Sequence, residues 1–283
     1  MRTLRDLSKD IEAQLASCGI DEAKLDARLL ICHALNLEQI DYTIEKSKTV
    51  SDDDYESVMM LVRKRLKRMP MSQIFGEKEF WSRSFKVTAD TLTPRPDSET
   101  LIEVALSIVS DKRDAIKILD LGTGTGCLLL TMLCEMVNAT GVGTDISKKA
   151  IDVALGNALA LKLSKRAEFR YSDWTSDLHE GEKFDLVISN PPYIGLNEKA
   201  DLSPEVKDHE PASALFSGPN GLDDYRKIAT QIGAVLNPNA SIIVEIGYRQ
   251  ACDVKKIFTS YGFNSISLHK DLAGRDRCLL IKK

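Results

Sequence analysis

The sequence predicts an α/β protein. A mostly parallel sheet with helices on both faces, its last strand antiparallel, follows a small N-terminal helical bundle and a β-hairpin linker. Three observations predict it. From Ile116 onward, short apolar runs that read as buried strands alternate with helical patterns. The polar residues with chemistry to offer sit at the C-terminal ends of those runs, where open α/β sheets bind ligands. The stretch before Pro70 shows only helix-period apolar patterns. The expected divisions are 1–72 (helical bundle, substrate recognition), 73–95 (hairpin linker) and 96–283 (catalytic domain).

In chain order, Leu4, Leu7, Ile11 and Leu15 recur at helical spacing and Gly19 ends that helix. Asp21-Glu22-Ala23-Lys24 starts a second helix carrying Leu25, Leu29 and His33. Ser51-Asp52-Asp53-Asp54 caps a later helix whose apolar stripe is Val58, Leu61, Val62 and Leu66. The basic run Arg63 to Arg68 at its end complements the helix dipole and is expected to stay solvated; the alternative is a contact patch for a nucleic-acid-bearing partner. Pro70 breaks the helix. Glu79-Phe80-Trp81 and Phe85-Lys86-Val87 read as hairpin arms. Pro94 and Pro96 stiffen the next entry, and Asp97 or Ser98 is placed to cap a helix over 99–109.

Ile116 to Leu121 is an apolar strand that runs into Gly122-Thr123-Gly124-Thr125-Gly126, and Leu128 to Leu133 opens a helix. Glycines permit positive φ and close backbone approach, so loop N–H groups and the helix N-terminus can face a ligand. The dinucleotide fingerprint Gly-x-Gly-x-x-Gly does not fit: the third glycine comes one residue early and Cys127 takes its place. Asp120 is an acid at the end of this strand. The strand Gly141 to Asp145 ends in an acid where a βαβ nucleotide fold places its ribose-binding carboxylate; Asp145 is equally placed to cap the next helix. A third strand, 168–171, ends in Asp173 and Trp174, which can hold an adenine amino group and cover its ring, or simply pack.

The fourth strand, Phe184 to Ile188, runs into Ser189-Asn190-Pro191-Pro192-Tyr193. Two adjacent prolines force the chain out of the sheet in a stiff loop. That loop offers a primary amide, backbone carbonyls without matching N–H groups, and an aromatic ring. The set suits a planar amide or aminopurine –NH2 group, whose two N–H donors meet acceptors while the ring lies against its face. Later strands are Ser241 to Ile246, Ser265 to Leu268 and Cys278 to Ile281; the last two are joined too closely for a helix, so the final one is antiparallel.

At 283 residues the chain has room for two domains. With 38 basic and 42 acidic residues it lacks the basic footprint of a dedicated nucleic-acid binder. No apolar signal core or membrane-length run is visible, and Cys18, Cys32, Cys127, Cys134, Cys252 and Cys278 are scattered without metal-ligand spacing. A cytoplasmic protein with reduced thiols and no metal is expected, acting as a monomer.

With these motifs the chain resembles the S-adenosyl-L-methionine-dependent methyltransferase superfamily, of Rossmann-like class I fold. More closely, it resembles the release factor glutamine methyltransferase (PrmC/HemK) family. The closer likeness rests on Asn190 to Tyr193, on Gly76-Glu77-Lys78-Glu79-Phe80-Trp81, and on Leu92-Thr93-Pro94-Arg95-Pro96-Asp97-Ser98-Glu99. His209-Glu210-Pro211 with Ala214-Leu215 and the tail Asp271 to Arg277 extend it over nearly the whole chain. Ser98 stands where the family usually has Thr, which keeps the hydroxyl.

The resemblance implies S-adenosyl-L-methionine as methyl donor, with S-adenosyl-L-homocysteine as product. The implied acceptor is the glutamine side-chain nitrogen in the Gly-Gly-Gln motif of peptide chain release factors. It further implies that Asp120 and Gly122, Thr123, Gly124, Thr125 and Gly126 hold the methionine part, Asp145 the ribose, and Asp173 and Trp174 the adenine. It implies, too, that Asn190, Pro191, Pro192 and Tyr193 are the catalytic and substrate-gripping residues, with Asn190 also binding the cofactor, and that Arg95 and Glu99 orient the substrate loop or form a structural pair. An exocyclic amine of adenine (N6) or guanine (N2) presents the same two donors, so a nucleic-acid methyltransferase is the alternative.

Overall fold

The computed structural model describes residues 2–283. In chain order its elements begin with α1 (Leu4–Ser17), α2 (Ala23–Ala34), α3 (Gln39–Ile44), α4 (Asp52–Leu66), α5 (Met71–Phe75), β1 (Glu77–Phe80) and β2 (Arg83–Lys86). There follow α6 (Glu99–Ile108), β3 (Lys117–Leu121), α7 (Cys127–Glu135), β4 (Thr140–Asp145), α8 (Lys148–Ala160), β5 (Ala167–Tyr171) and β6 (Phe184–Ser189). The last are α9 (Pro204–His209), α10 (Asp223–Ile232), β7 (Leu236–Glu245), α11 (Ala251–Ser260), β8 (Ser265–Lys270) and β9 (Asp276–Lys282). They form two compact units: residues up to Gly76 together with Ser203–His209, and Glu77–Leu202 together with Glu210–Lys283. Among the described residues no helix is long and apolar enough to cross a membrane.

The first unit is helical. A capping box between Thr3 and Asp6 starts α1, whose buried face is Leu4, Leu7, Ile11 and Leu15. The expected stripe of α2 is corrected: Leu25 is exposed, and Ala23, Asp26, Ala27, Leu30 and Ile31 face inward. Ala23, Ala27, Leu30 and Ile31 form an apolar face at i, i+4, i+7 and i+8, and Asp26 is tolerated beside it because it is paired. The Arg65 Nε of α4 donates to Asp26 Oδ2 at 2.7 Å, and an acid paired this way can occupy an interior position that apolar spacing would not assign to it. The same contact corrects the reading of the basic run as solvated. Arg65 also reaches Glu205 of α9 at 2.8 Å, and Arg68 pairs with Glu205 at 2.8 Å while donating to the Cys18 and Gly19 carbonyls. Arg63 keeps an exposed pair with Glu56. Gln73 Nε2 donates to the His209 carbonyl at 2.8 Å, so α9 is tied in at both ends.

The second unit opens with the hairpin. β1 and β2 are joined by Trp81 and Ser82 at φ 51° and 57°, a two-residue turn matched to the strand twist. Trp81, read as part of an arm, is therefore in the turn; its backbone N–H donates to Glu99 Oε1 at 2.8 Å. The seven-stranded sheet has the order β5-β4-β3-β6-β7-β9-β8. β3 pairs in parallel with β4 and β6, whereas β9 runs antiparallel to β7 and β8, as the short β8–β9 link requires.

Side chains alternate across the central strands. Ile118 and Ile243 join a core formed with α6 and α7, while Leu119, Val187 and Ile242 join the opposite core with α10 and α11. The chain leaves β3 toward β4 and β5, then returns to place β6 on the other side of β3. This reversal opens a crevice at the carboxyl ends of β3 and β6, where open sheets bind ligands. The glycine loop leaves one of those strands and the proline corner leaves the other.

Candidate active site

Each part of the crevice has its own local cause. Gly122, Gly124 and Gly126 all lie at positive φ (70°, 55° and 79°), a backbone other residues adopt only with strain. The Gly122 and Thr123 N–H groups both donate to the Thr144 carbonyl at 2.9 Å, which seals the loop onto the end of β4. Asp120 is fully buried. It accepts from Thr123 Oγ1 at 2.6 Å, and burial pushes its carboxyl up to about 7 against that hydrogen bond.

Asp145 accepts from the Gly124 N–H at 2.9 Å and from the Ser147 N–H at 2.8 Å; burial raises its pKa. The capping role left open for Asp145 falls to Ser147, whose Oγ accepts from the Ala150 N–H. Trp174, at φ 58°, is buried in the core and also passes over the loop: a Cβ on Gly122 would stand 3.3 Å from its ring. Asp173 beside it is exposed.

These residues surround a cavity of about 310 Å³. Of the candidates, Arg95, Gly122, Thr123, Gly124, Thr125, Asp145, Asp173, Trp174, Asn190 and Pro192 line it. Asp120, Gly126, Pro191 and Tyr193 are not lining residues, and Glu99 borders a different hollow with Trp81, Arg83 and Glu135. Arg95 pairs not with Glu99 but with Glu210, at 2.6 Å, a carboxylate with only 1% of its side chain exposed. Cys127 also lines the cavity, and burial pushes its thiol up to about 12, which favours the protonated form.

The proline corner is braced from several directions. Ser189 Oγ donates to the Leu121 carbonyl at 2.8 Å, tying the end of β6 to β3. The Ile194 N–H meets the Leu215 carbonyl and the Ser217 N–H meets the Ile194 carbonyl, both at 3.0 Å. Gln250 Nε2 donates to the Tyr193 carbonyl at 2.8 Å. Gly221, at φ 71°, lies so close that a Cβ would fall 2.0 Å from that carbonyl oxygen.

Beneath the corner lies Glu245, the buried last residue of β7. Ser98 Oγ donates to its Oε2 at 2.5 Å, the Tyr193 hydroxyl to its Oε1 at 3.4 Å, and the Tyr225 hydroxyl to its backbone carbonyl at 2.9 Å. Burial pushes the Glu245 carboxyl up to about 7, opposed by the Ser98 bond and by Arg277. Asn190 Nδ2 donates to Ser98 Oγ at 3.2 Å. Ser98, read as a helix cap, makes no capping bond to α6; its hydroxyl is engaged here instead.

Sequence reasoning missed Glu245, Gln250 and Gly221. Glu245 carries the signal already used for Asp120 and Asp145, an acid ending an apolar strand (Ser241 to Glu245). Gln250 and Gly221 carry none that precedes knowledge of the fold.

Comparison with known proteins follows the same division. Residues 6–76 match the PrmC N-terminal domain and residues 112–270 a methyltransferase domain. A release factor glutamine methyltransferase of Cereibacter sphaeroides is 42% identical over 93% of this chain and 92% of its own length. One of Rhodospirillum rubrum is 40% identical over 95% and 82%. The chain belongs to the release factor glutamine methyltransferase family. A bifunctional methyltransferase of Rickettsia felis is 38% identical over 94% of the chain, which spans 55% of that longer protein.

Solved structures agree on the fold. A methyltransferase from Pyrococcus furiosus has a TM-score of 0.51 at 16% identity, over 80% of this chain and 96% of its own. The hMettl16 catalytic domain in complex with MAT2A 3'UTR hairpin 1 reaches 0.58 at 13% identity, over 84% and 82%. A member of the release factor glutamine methyltransferase family thus shares its sheet with an enzyme domain bound to RNA, and fold alone does not separate their substrates.

Proposed function

We propose that this chain transfers a methyl group from S-adenosyl-L-methionine to the side-chain amide nitrogen (N5) of the Gly-Gly-Gln glutamine of peptide chain release factors, acting in the cytoplasm. One observation carries the chemical part of the reading. Asn190 lines the cavity with its Nδ2 engaged by Ser98, while among the described residues no donor reaches its Oδ1. An unclaimed amide oxygen at a ligand cavity is what a substrate –NH2 group needs.

The residues present fit the cofactor. A Cβ on Gly124 would meet nothing within 4 Å, so its loop faces open space. The Asp145 carboxylate retains lone pairs beyond its two backbone bonds for ribose hydroxyls, and Trp174 with Asp173 offers a ring and an acceptor for adenine. Thr123 and Thr125 border the methionine end; Asp120, behind them, acts by holding Thr123. When bound, S-adenosyl-L-methionine supplies an electrophilic methyl on a positively charged sulfur.

The protein's task is orientation. An amide nitrogen is a poor nucleophile because its lone pair is delocalised into the carbonyl. Asn190 Oδ1 would accept one amide hydrogen and the carbonyl of Pro191, whose residue stands behind the cavity wall, the other; this would turn the nitrogen toward the methyl and ease the positive charge it gains, and one of the two hydrogens would then leave as a proton to solvent, restoring a neutral amide. Placement within about 3–3.5 Å supplies much of the acceleration. Pro192 stiffens the corner at the cavity wall, and Tyr193, which does not line the cavity, anchors the corner from behind through its hydroxyl on Glu245. Arg95, through Glu210, holds the following segment at the cavity rim; Glu99 braces the hairpin and makes no substrate contact in this reading.

The test is incubation of the purified chain with labelled S-adenosyl-L-methionine and, separately, release factor, DNA and ribosomes. One methyl on the release-factor glutamine, located by mass spectrometry, supports the reading. Label found only in nucleic acid overturns it.

A further inference from the structure

We propose that Ser98 and Glu245 are positioning residues that decide which end of the Asn190 amide faces the substrate. This rests on the function proposed above and goes one step behind it, to what holds the acceptor-gripping amide in its working orientation.

A serine hydroxyl has one proton. At 2.5 Å from Glu245 Oε2, that proton is committed to the carboxylate. Toward Asn190, Ser98 Oγ can therefore only accept, and only the –NH2 end of the amide can satisfy it, at 3.2 Å. Turning the amide over would set two oxygen lone pairs against each other inside a buried site, since Ser98 and Glu245 are 3% and 1% exposed. A buried lone pair left facing another is unfavourable enough to keep one orientation dominant. The opposite end, Oδ1, is left for the substrate. Glu245 also receives the Tyr193 hydroxyl, so one carboxylate holds both polar side chains of the corner.

The device depends on the charge of Glu245. Ionised, it accepts from Ser98; protonated, it can donate to Ser98 Oγ and release the serine proton to Asn190 Oδ1, which admits the flipped amide. The groups facing Glu245 are Ser98 and Asp97 before α6, Tyr193 on the corner, Tyr225 of α10, Arg277 and Cys278 of β9, and Cys127 of α7. Arg277 is the cation among them, and burial outweighs it, so the carboxyl is pushed up to about 7.

The experiment uses the full chain with release factor, and three substitutions. Ser98→Ala is expected to lower kcat on the order of 10- to 100-fold, with S-adenosyl-L-homocysteine affinity unchanged; Ser98→Thr, which restores the hydroxyl, recovers most of that loss. The wild-type kcat should fall as pH drops through about 7, and Glu245→Gln, which cannot titrate, should remove that limb. A readout independent of turnover is the side-chain amide resonance of Asn190, which should titrate with Glu245 in the wild type and lose that titration in Ser98→Ala. Equal turnover in Ser98→Ala and wild type, equal losses in Ser98→Ala and Ser98→Thr, or an Asn190 resonance indifferent to both Ser98→Ala and pH, overturns the proposal. A wild-type chain that methylates no release factor fails the function reading instead, and the resonance still decides the role of Ser98.

Discussion

The glycine loop and the proline corner face one cavity from neighbouring strands, yet they are held by different means. The loop is a backbone object. Its shape follows from glycines at positive φ and from main-chain bonds of the Gly122 and Thr123 N–H groups to the Thr144 carbonyl. The corner has stiff prolines, but its aim is set by side chains from remote parts of the chain: Ser98, Glu245 and Gln250, with Gly221 leaving room. The shape of the loop rests mainly on backbone, with Asp145 accepting from the Gly124 N–H and Asp120 holding Thr123. A site that must orient a weak nucleophile needs a particular amide atom pointing a particular way, and only a side-chain network can specify that.

Substitutions should separate the two halves. Asn190→Ala removes the acceptor and should lower kcat on the order of 10²–10³-fold, with little change in S-adenosyl-L-homocysteine affinity by calorimetry. Affinity lost alongside unchanged turnover of the bound complex would break the comparison. Gly221→Ala touches no ligand, but its Cβ would stand 2.0 Å from the Tyr193 carbonyl. It should displace the corner and lower kcat by about 10²-fold, a loss seen in single-turnover assays while cofactor binding is spared.

Gly122→Ala should do the reverse. Left-handed backbone at φ 70° costs a non-glycine residue roughly 1–2 kcal/mol, and the new Cβ presses on the Trp174 ring. Cofactor affinity should fall about 10-fold with kcat at saturation nearly unchanged.

The smallest effect is on stability. Asp120 and Glu245 both have carboxyls pushed up to about 7, so the folded state holds protons that the unfolded state has released. Their contribution is complete at pH below the unfolded values and is lost as pH rises through about 7. Thermal melts should show Tm falling across that window, and Glu245→Gln should flatten the fall. A Tm that rises between pH 5 and 8 (about those limits) would contradict the burial argument.

Much of this was legible from residues alone, for local reasons. Positive φ is tolerated by glycine, so Gly122-Thr123-Gly124-Thr125-Gly126 announces a tight strand-to-helix loop without reference to anything distant. Two prolines after an apolar run announce a stiff exit, and a short β8–β9 link forces an antiparallel last strand. The errors came where tertiary contacts override local pattern. Asp26 is kept inside by its bond to Arg65, the basic run is split by that same bond, and Ser98 gave up its cap for Glu245.

The sequence by itself determined the order of strands and helices, the conformation of the glycine loop and the residue types offered at each strand end, because backbone torsion and side-chain periodicity act within a few residues. Only the tertiary structure decided which way the Asn190 amide points. That orientation depends on the proton that Ser98 gives to Glu245, residues 147 positions apart that are brought together where α6 packs on β7.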